Sequence, residues 1–201
     1  VIYRCAALAV TVLLAGVAAG QGGGRLAVLS AAKALRDAGA FIHEDDSDPE
    51  RPVVSVRVIG NLGDREALRV AAFKKLDHLF IDSDNVTNAG VAGVKGLAKL
   101  RDVGFHCPNV GDESVKHFAT LPSLERLSLY RSGVTDAGMK GLAALPKLKR
   151  LILSRTAVTD AGLMALAEAK SLVSVSVDGT KVTDAGIKAF KAKKPGCKVE
   201  R

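Results

Sequence analysis

A histidine, a cysteine and an aspartate share one register of this sequence: His106 precedes Cys107, and Asp82 lies 24 residues before His106. A thiol beside an imidazole that a carboxylate orients is the arrangement of nucleophilic catalysis. No motif accompanies these residues, and consecutive side chains on a short strand point to opposite faces, so no catalytic residue is expected. Aspartates form a second pattern, with Asp64, Asp112, Asp136, Asp160 and Asp184 at multiples of 24 residues and Asn88 in the remaining place. Such a column suggests calcium, but each aspartate precedes its own helical stretch, where a carboxylate caps free N–H groups and meets the positive end of the helix dipole. Between Glu44 and Glu50, five acids crowd into seven residues. A calcium loop also needs spaced ligands, a turn glycine and a distal glutamate, and Arg57 stands where that glutamate would fall. A solvated acidic loop is the expectation, with no metal site and no cofactor.

The arginines offer different chemistry. Arg126 and Arg150 stand 24 residues apart, as do Arg131 and Arg155, with Tyr130 among them. Guanidinium groups engage carboxylates and phosphates through paired N–H donors, and arginines and aromatic rings anchor interfaces. With Phe80, His78 and His106, the four arginines and Tyr130 form the expected partner-binding set. The alternative is variable surface that happens to carry two arginine pairs.

A repeat positions these residues. Val134-Thr135-Asp136-Ala137-Gly138 recurs unchanged at 158–162 and 182–186, and backward steps of 24 reach Val110-Gly111-Asp112, Val86-Thr87-Asn88-Ala89-Gly90 and Leu62-Gly63-Asp64. Six copies follow one another without insertion. In the copy from Val134 the apolar columns are Val134, Met139, Leu142, Leu145, Leu148, Leu151 and Leu153. Across the copies starting at 62, 86, 110, 134 and 158, all thirty-five such positions are Ala, Val, Leu, Ile, Met or Phe, where a 48% hydrophobic composition would fill about half by chance. Met139, Leu142 and Leu145 line one helical face that Thr135 or Asp136 starts, and Leu151-Ile152-Leu153 alternates as a strand does. Each unit is strand, turn and helix, and stacked units bury a continuous core beneath a parallel sheet. His78, Phe80, His106, Arg126, Tyr130 and Arg150 then fall on outward strand columns.

The pattern Leu148-x-x-Leu151-x-Leu153-x-x-Thr156-x-Val158-Thr-Asp-Ala-Gly-Leu163 resembles a leucine-rich repeat of the bacterial 24-residue kind, close to the cysteine-containing and ribonuclease-inhibitor-like classes. The resemblance covers about 53–201 and implies an α/β solenoid, with parallel strands on the concave face and helices on the convex one. It also implies a non-catalytic scaffold that binds a protein on the concave face. Two other readings stay open: a binder of an anionic glycan or cell-wall polymer, using the arginines and the basic tail, and an effector-type adaptor, for which no recruiting motif is visible.

The flanks have their own signatures. Leu26, Leu29, Ala32 and Leu35 read as an amphipathic helix within an N-terminal cap over 25–52, Phe41-Ile42-His43 as an edge strand, and Cys197-Lys198-Val199 as a closing strand. Cys5–Ala19 is an uncharged run of fifteen residues, shorter than the roughly 20 that span a bilayer. Residues 1–20 are expected to be an export signal, with membrane contact only if that segment stays uncleaved, and Gly22–Gly24 to be part of a linker over 21–24. An exported protein, periplasmic or extracellular, follows. The formal charge is +8, of which residues 188–201 hold +5, so the body is nearly neutral. With 4% aromatic residues there is no stacking platform for bases, and no nucleic acid is expected. Cys107 and Cys197 lie nearly four repeats apart, about 18–20 Å at the strand spacing, and both are expected to be free thiols.

Overall fold

A computed structural model describes residues 22–201; the stretch Cys5–Ala19 read as an export signal lies outside the described residues. Eight strands form one sheet in sequence order: β1 (Phe41–Glu44), β2 (Val53–Ile59), β3 (His78–Asp82), β4 (Asp102–His106), β5 (Arg126–Ser128), β6 (Arg150–Ile152), β7 (Ser174–Ser176) and β8 (Lys198–Glu200). Only β1 runs antiparallel to its neighbour; β2 to β8 pair in parallel. Helices α1 (Gly22–Asp37), α2 (Asp64–Ala67), α3 (Asn88–Val91), α4 (Val115–Phe118), α5 (Asp136–Ala143), α6 (Asp160–Ala165) and α7 (Asp184–Lys193) complete the coils. All thirty-five positions of the seven apolar columns are buried. Among the described residues no helix is long and apolar enough to cross a membrane.

The helices are shorter than an amphipathic pattern implies. In three coils a single α-turn or little more tightens into a 3₁₀ turn, at Leu68–Ala72, Ala92–Val94 and Leu166–Glu168. The cause lies in the columns: apolar residues spaced by three match the three-residue period of the 3₁₀ helix better than 3.6.

At the N-terminal end, Gly22–Gly24, read as part of a linker, lie in the first turn of α1, where backbone N–H groups need no intrahelical partner and glycine costs least. Ala31, Ala32 and Leu35 of this cap are buried, whereas Leu26 and Leu29, expected on the packed face, are 69% and 57% exposed. A helix of 16 residues is about 24 Å long, more than one coil can cover.

The aspartate column works differently from the capping reading. The N-cap of α3, α5, α6 and α7 is the threonine: Thr87, Thr135, Thr159 and Thr183 accept an N–H from the first turn. The aspartate instead bonds forward to the next coil. Asp136 accepts the Thr159 N–H at 2.8 Å and its hydroxyl at 2.6 Å, and Asp64, Asp112 and Asp160 hold Thr87, Thr135 and Thr183 in the same way. The coil before Gly111 carries Asn88, whose amide oxygen takes the Gly111 N–H at 2.7 Å. A position without a hydroxyl offers one proton to the rung, and one amide oxygen is sufficient to accept it. The glycine three residues after each rung threonine is needed for clearance: a Cβ on Gly138 would lie 2.5 Å from Asp112 Oδ1.

Candidate partner-binding surface

Alternation along each strand buries one side chain and turns the next outward. Register aligns the outward residues into rows across the sheet. One row is Ser55, His78, Asp102, Arg126, Arg150, Ser174 and Lys198; the next is Arg57, Phe80, Gly104, Ser128, Ile152, Ser176 and Glu200. Arg126 and Arg150 are therefore strand neighbours, and the Arg131 N–H bonds the carbonyl of Ser154, next to Arg155.

The four arginines nevertheless form two groups, one at each end of the strands. Arg126 is bound by Asp102 at 2.7 Å, and His78 lies between Asp77 at 3.1 Å and Asp102 at 3.7 Å. Asp77, His78 and Arg126 line a groove of about 390 Å³ together with Arg101, Glu125, Lys149, Arg150, Val173 and Ser174. Lys149, at 2.9 Å, and Arg101, at 3.3 Å, share Glu125; the Lys149 hydrogen bond is the main reason its carboxyl stays below the ordinary range. At the other end Arg131 reaches Asp82 at 3.2 Å and Asp84 at 3.1 Å. That contact spans two coils from a left-handed backbone at residue 131, φ 56°, a conformation residue 155 shares at φ 58°.

Between the two groups runs a stripe of rings. The Arg57 guanidinium lies 5.4 Å from the Phe80 centroid, and Phe80 meets His106 edge-on at 4.6 Å. His106 is 5.1 Å from Tyr130, whose ring carries Arg155 at 5.5 Å. Phe80 leans across β4 because residue 104 is glycine; a Cβ there would sit 2.7 Å from the ring. Phe80, His106 and Tyr130 were readable as outward columns, and Arg155 as lying just beyond its strand. The sequence reading missed Arg57 and Gly104, although glycine inside a strand signals close approach.

His106 Nε2 is 2.8 Å from Ser128 Oγ, while its Nδ1 is 3.9 Å from Asp82. The order serine, imidazole, carboxylate is that of a catalytic relay, but the second link exceeds hydrogen-bond reach and Arg131 occupies the carboxylate. Burial, reinforced by Arg131, holds the imidazole below its ordinary pKa, favouring a neutral ring within the stripe. Cys107 points away into the core, its Sγ 3.7 Å from the Ile81 carbonyl. Burial pushes this thiol to about 11, and the thiolate is the reactive form. Cys107 should therefore resist a disulfide reagent at pH 8 in the folded chain and react fully in denaturant; rapid labelling of Cys107 in the native state would contradict the buried placement. Cys197 is free and buried as well, at the far end of the sheet. Among the described residues no three His, Cys, Asp or Glu side chains gather as a metal site.

Residues 144–167 match the family model described as Leucine Rich repeat. Among solved structures, the chain is similar to internalin C2 from Listeria monocytogenes, at 19% identity, with a TM-score of 0.51 over 86% of this chain and 81% of that one. It is also similar to a Bacteroides fragilis protein, at 18% identity and a TM-score of 0.46 over 64% of this chain, spanning 41% of that protein's length. The leucine-rich-repeat ectodomain of a receptor kinase from Arabidopsis thaliana is 12% identical, with a TM-score of 0.46 over 78% of this chain and 94% of that one. No curated protein matches the chain.

Proposed function

We propose that this chain, whose residues 144–167 match the leucine-rich-repeat model, is a non-catalytic scaffold holding a protein partner on its concave strand face. The stripe from Arg57 through Phe80, His106 and Tyr130 to Arg155 carries this reading. Its rings are half-buried, packed edge-on or tilted against one another and flanked by guanidinium groups, so they can contact a partner with little further loss of side-chain freedom. Aromatic and arginine anchors of this kind dominate interface energetics.

The surrounding chemistry supports binding over turnover. Asp82 and Asp102 are occupied by arginines, Cys107 is buried, and the Ser128–His106 pair has no orienting carboxylate within hydrogen-bond reach, Asp82 lying 3.9 Å from Nδ1. The apolar stretch Cys5–Ala19 supports export, with residues 1–20 as the signal, 25–52 as a cap and 53–201 as the repeat body. An exported scaffold would meet its partner in the envelope or outside the cell.

The test is affinity capture from native envelope extract by the full chain and by a Phe80→Ser/Tyr130→Ser variant of matched thermal stability. Loss of an anchor residue costs about 2 kcal/mol or more, so the variant should bind the captured partner at least about tenfold more weakly. Equal affinity of the two would remove the strand face as the binding surface.

A further inference from the structure

The arginines of the strand face differ in one respect that the sequence conceals: whether a carboxylate of the chain itself already holds them. Arg126 is held by Asp102 at 2.7 Å, and Arg131 by Asp82 and Asp84 at 3.2 and 3.1 Å. Arg150 and Arg155 have no carboxylate oxygen within 4.0 Å among the described residues. Glu200, on the row beside Arg150, is held by Lys198 at 2.8 Å, with Arg150 only a more distant charge upon it. Arg155 rests one face of its guanidinium on the Tyr130 ring, a contact that leaves the in-plane N–H donors open. Its backbone is held left-handed at φ 58°, a conformation that costs a β-carbon residue stability; the equivalent position one coil later is Gly179.

Both open arginines flank β6, at its start and just past its end. The chain between them spans at most about 18 Å. The floor beside it is low, made of Ser174, Ser176 and Ile152, and Val173 at its edge is 57% exposed. We infer that this strip seats an acidic extended peptide segment of the partner, with Arg150 and Arg155 each taking one carboxylate. The small serines allow a backbone to approach and offer hydroxyls to its amide groups, while Ile152 suits an apolar side chain between the acids and Val173 one just beyond Arg150. An anionic sugar polymer would find no use for that apolar surface. The inference rests on the proposed protein-binding function and narrows it to one strip and one partner chemistry. Arg57, also without a carboxylate, lies four strands away on β2 and belongs to the stripe.

The test uses the full chain with hexaglutamate as the probe and follows the Nε–Hε NMR signal of each arginine. Saturable shifts at Arg150 and Arg155, with Arg126 and Arg131 unmoved, are the expected result. Arg150→Gln/Arg155→Gln should weaken the peptide at least tenfold, and Arg126→Gln/Arg131→Gln less than threefold. Equal shifts at all four arginines, or binding that survives the first double variant and is lost on Lys188→Gln/Lys191→Gln, would overturn the inference. So would a heparin hexasaccharide that moves the same two signals at lower concentration than the peptide. Because no native partner is needed, failure here is separable from failure of the capture experiment, which reads Phe80 and Tyr130.

Discussion

Asp136→Ala should destabilise the chain by about 2–4 kcal/mol, read from denaturant unfolding, although the side chain touches no part of the hydrophobic core. The carboxylate accepts two protons from Thr159, the backbone N–H at 2.8 Å and the hydroxyl at 2.6 Å. Thr159 Oγ1 in turn accepts the Ala161 N–H and caps α6. Hydrogen bonds to a charged acceptor contribute about 1.5–3 kcal/mol each, and part-buried donors left unpaired lose that amount less what water restores. Asp136→Asn should cost about half as much, since the amide oxygen can keep the N–H bond as Asn88 does for Gly111. A loss below about 0.5 kcal/mol for the alanine variant, within the scatter of ordinary surface changes, would show that the rungs do not couple the coils.

Acid should weaken the rung one coil further on. The N–H and hydroxyl of Thr183 hold Asp160 below its ordinary carboxyl value of 3.8. A group depressed on folding contributes stability that is complete above the unfolded value and disappears as pH falls through the folded one. The contribution of this rung therefore persists down to about pH 4 and is lost below it.

Phe118→Ala should cost about 3–5 kcal/mol, the usual loss for a fully buried phenylalanine truncated to alanine. Phe118 is 0% exposed and its ring lies 5.9 Å from Phe105. Its column is filled by Val70, Val94, Leu142, Leu166 and Phe190, so neighbours across the coil boundary are too small to close the space. A solenoid coil contacts only the coils beside it. A void in the third coil thus weakens the junction between the two halves as well as the local core. Thermal unfolding of the variant should separate into two transitions, monitored by circular dichroism against the unmodified chain. A single transition with unchanged midpoint would place Phe118 outside the cooperative core.

The fold was legible because its period is rigid. Seven columns recurring without insertion leave one register, and that register correctly buries Leu62, Phe105 and Val177 alike. Other features depend on which atoms meet between coils. The rungs could have been read: aspartate precedes threonine by 23 residues in four pairs, and the asparagine stands where Gly111 replaces the threonine. The pairing of Asp102 with Arg126 was similarly available from the strand register. Arg131 with Asp82 was not, since that contact skips a coil and depends on a left-handed backbone that arginine rarely adopts. Arg131, Arg150 and Arg155 therefore looked equivalent in sequence, because neither composition nor strand register says which of these three is already neutralised.

The antiparallel β1 has a consequence for how the chain acquires its structure. It forms with β2 the one reversal in the sheet, a local pairing that closes early because its strands are near in sequence. Every later strand joins a neighbour about 24 residues behind it, so contact order stays low and constant along the chain. Growth can then proceed from the cap in one direction, each coil docking on a finished template with its rung aspartate already in place. A chain delivered N-terminus first, during synthesis or through a translocation pore, can fold as it emerges, with no need to wait for its last residue.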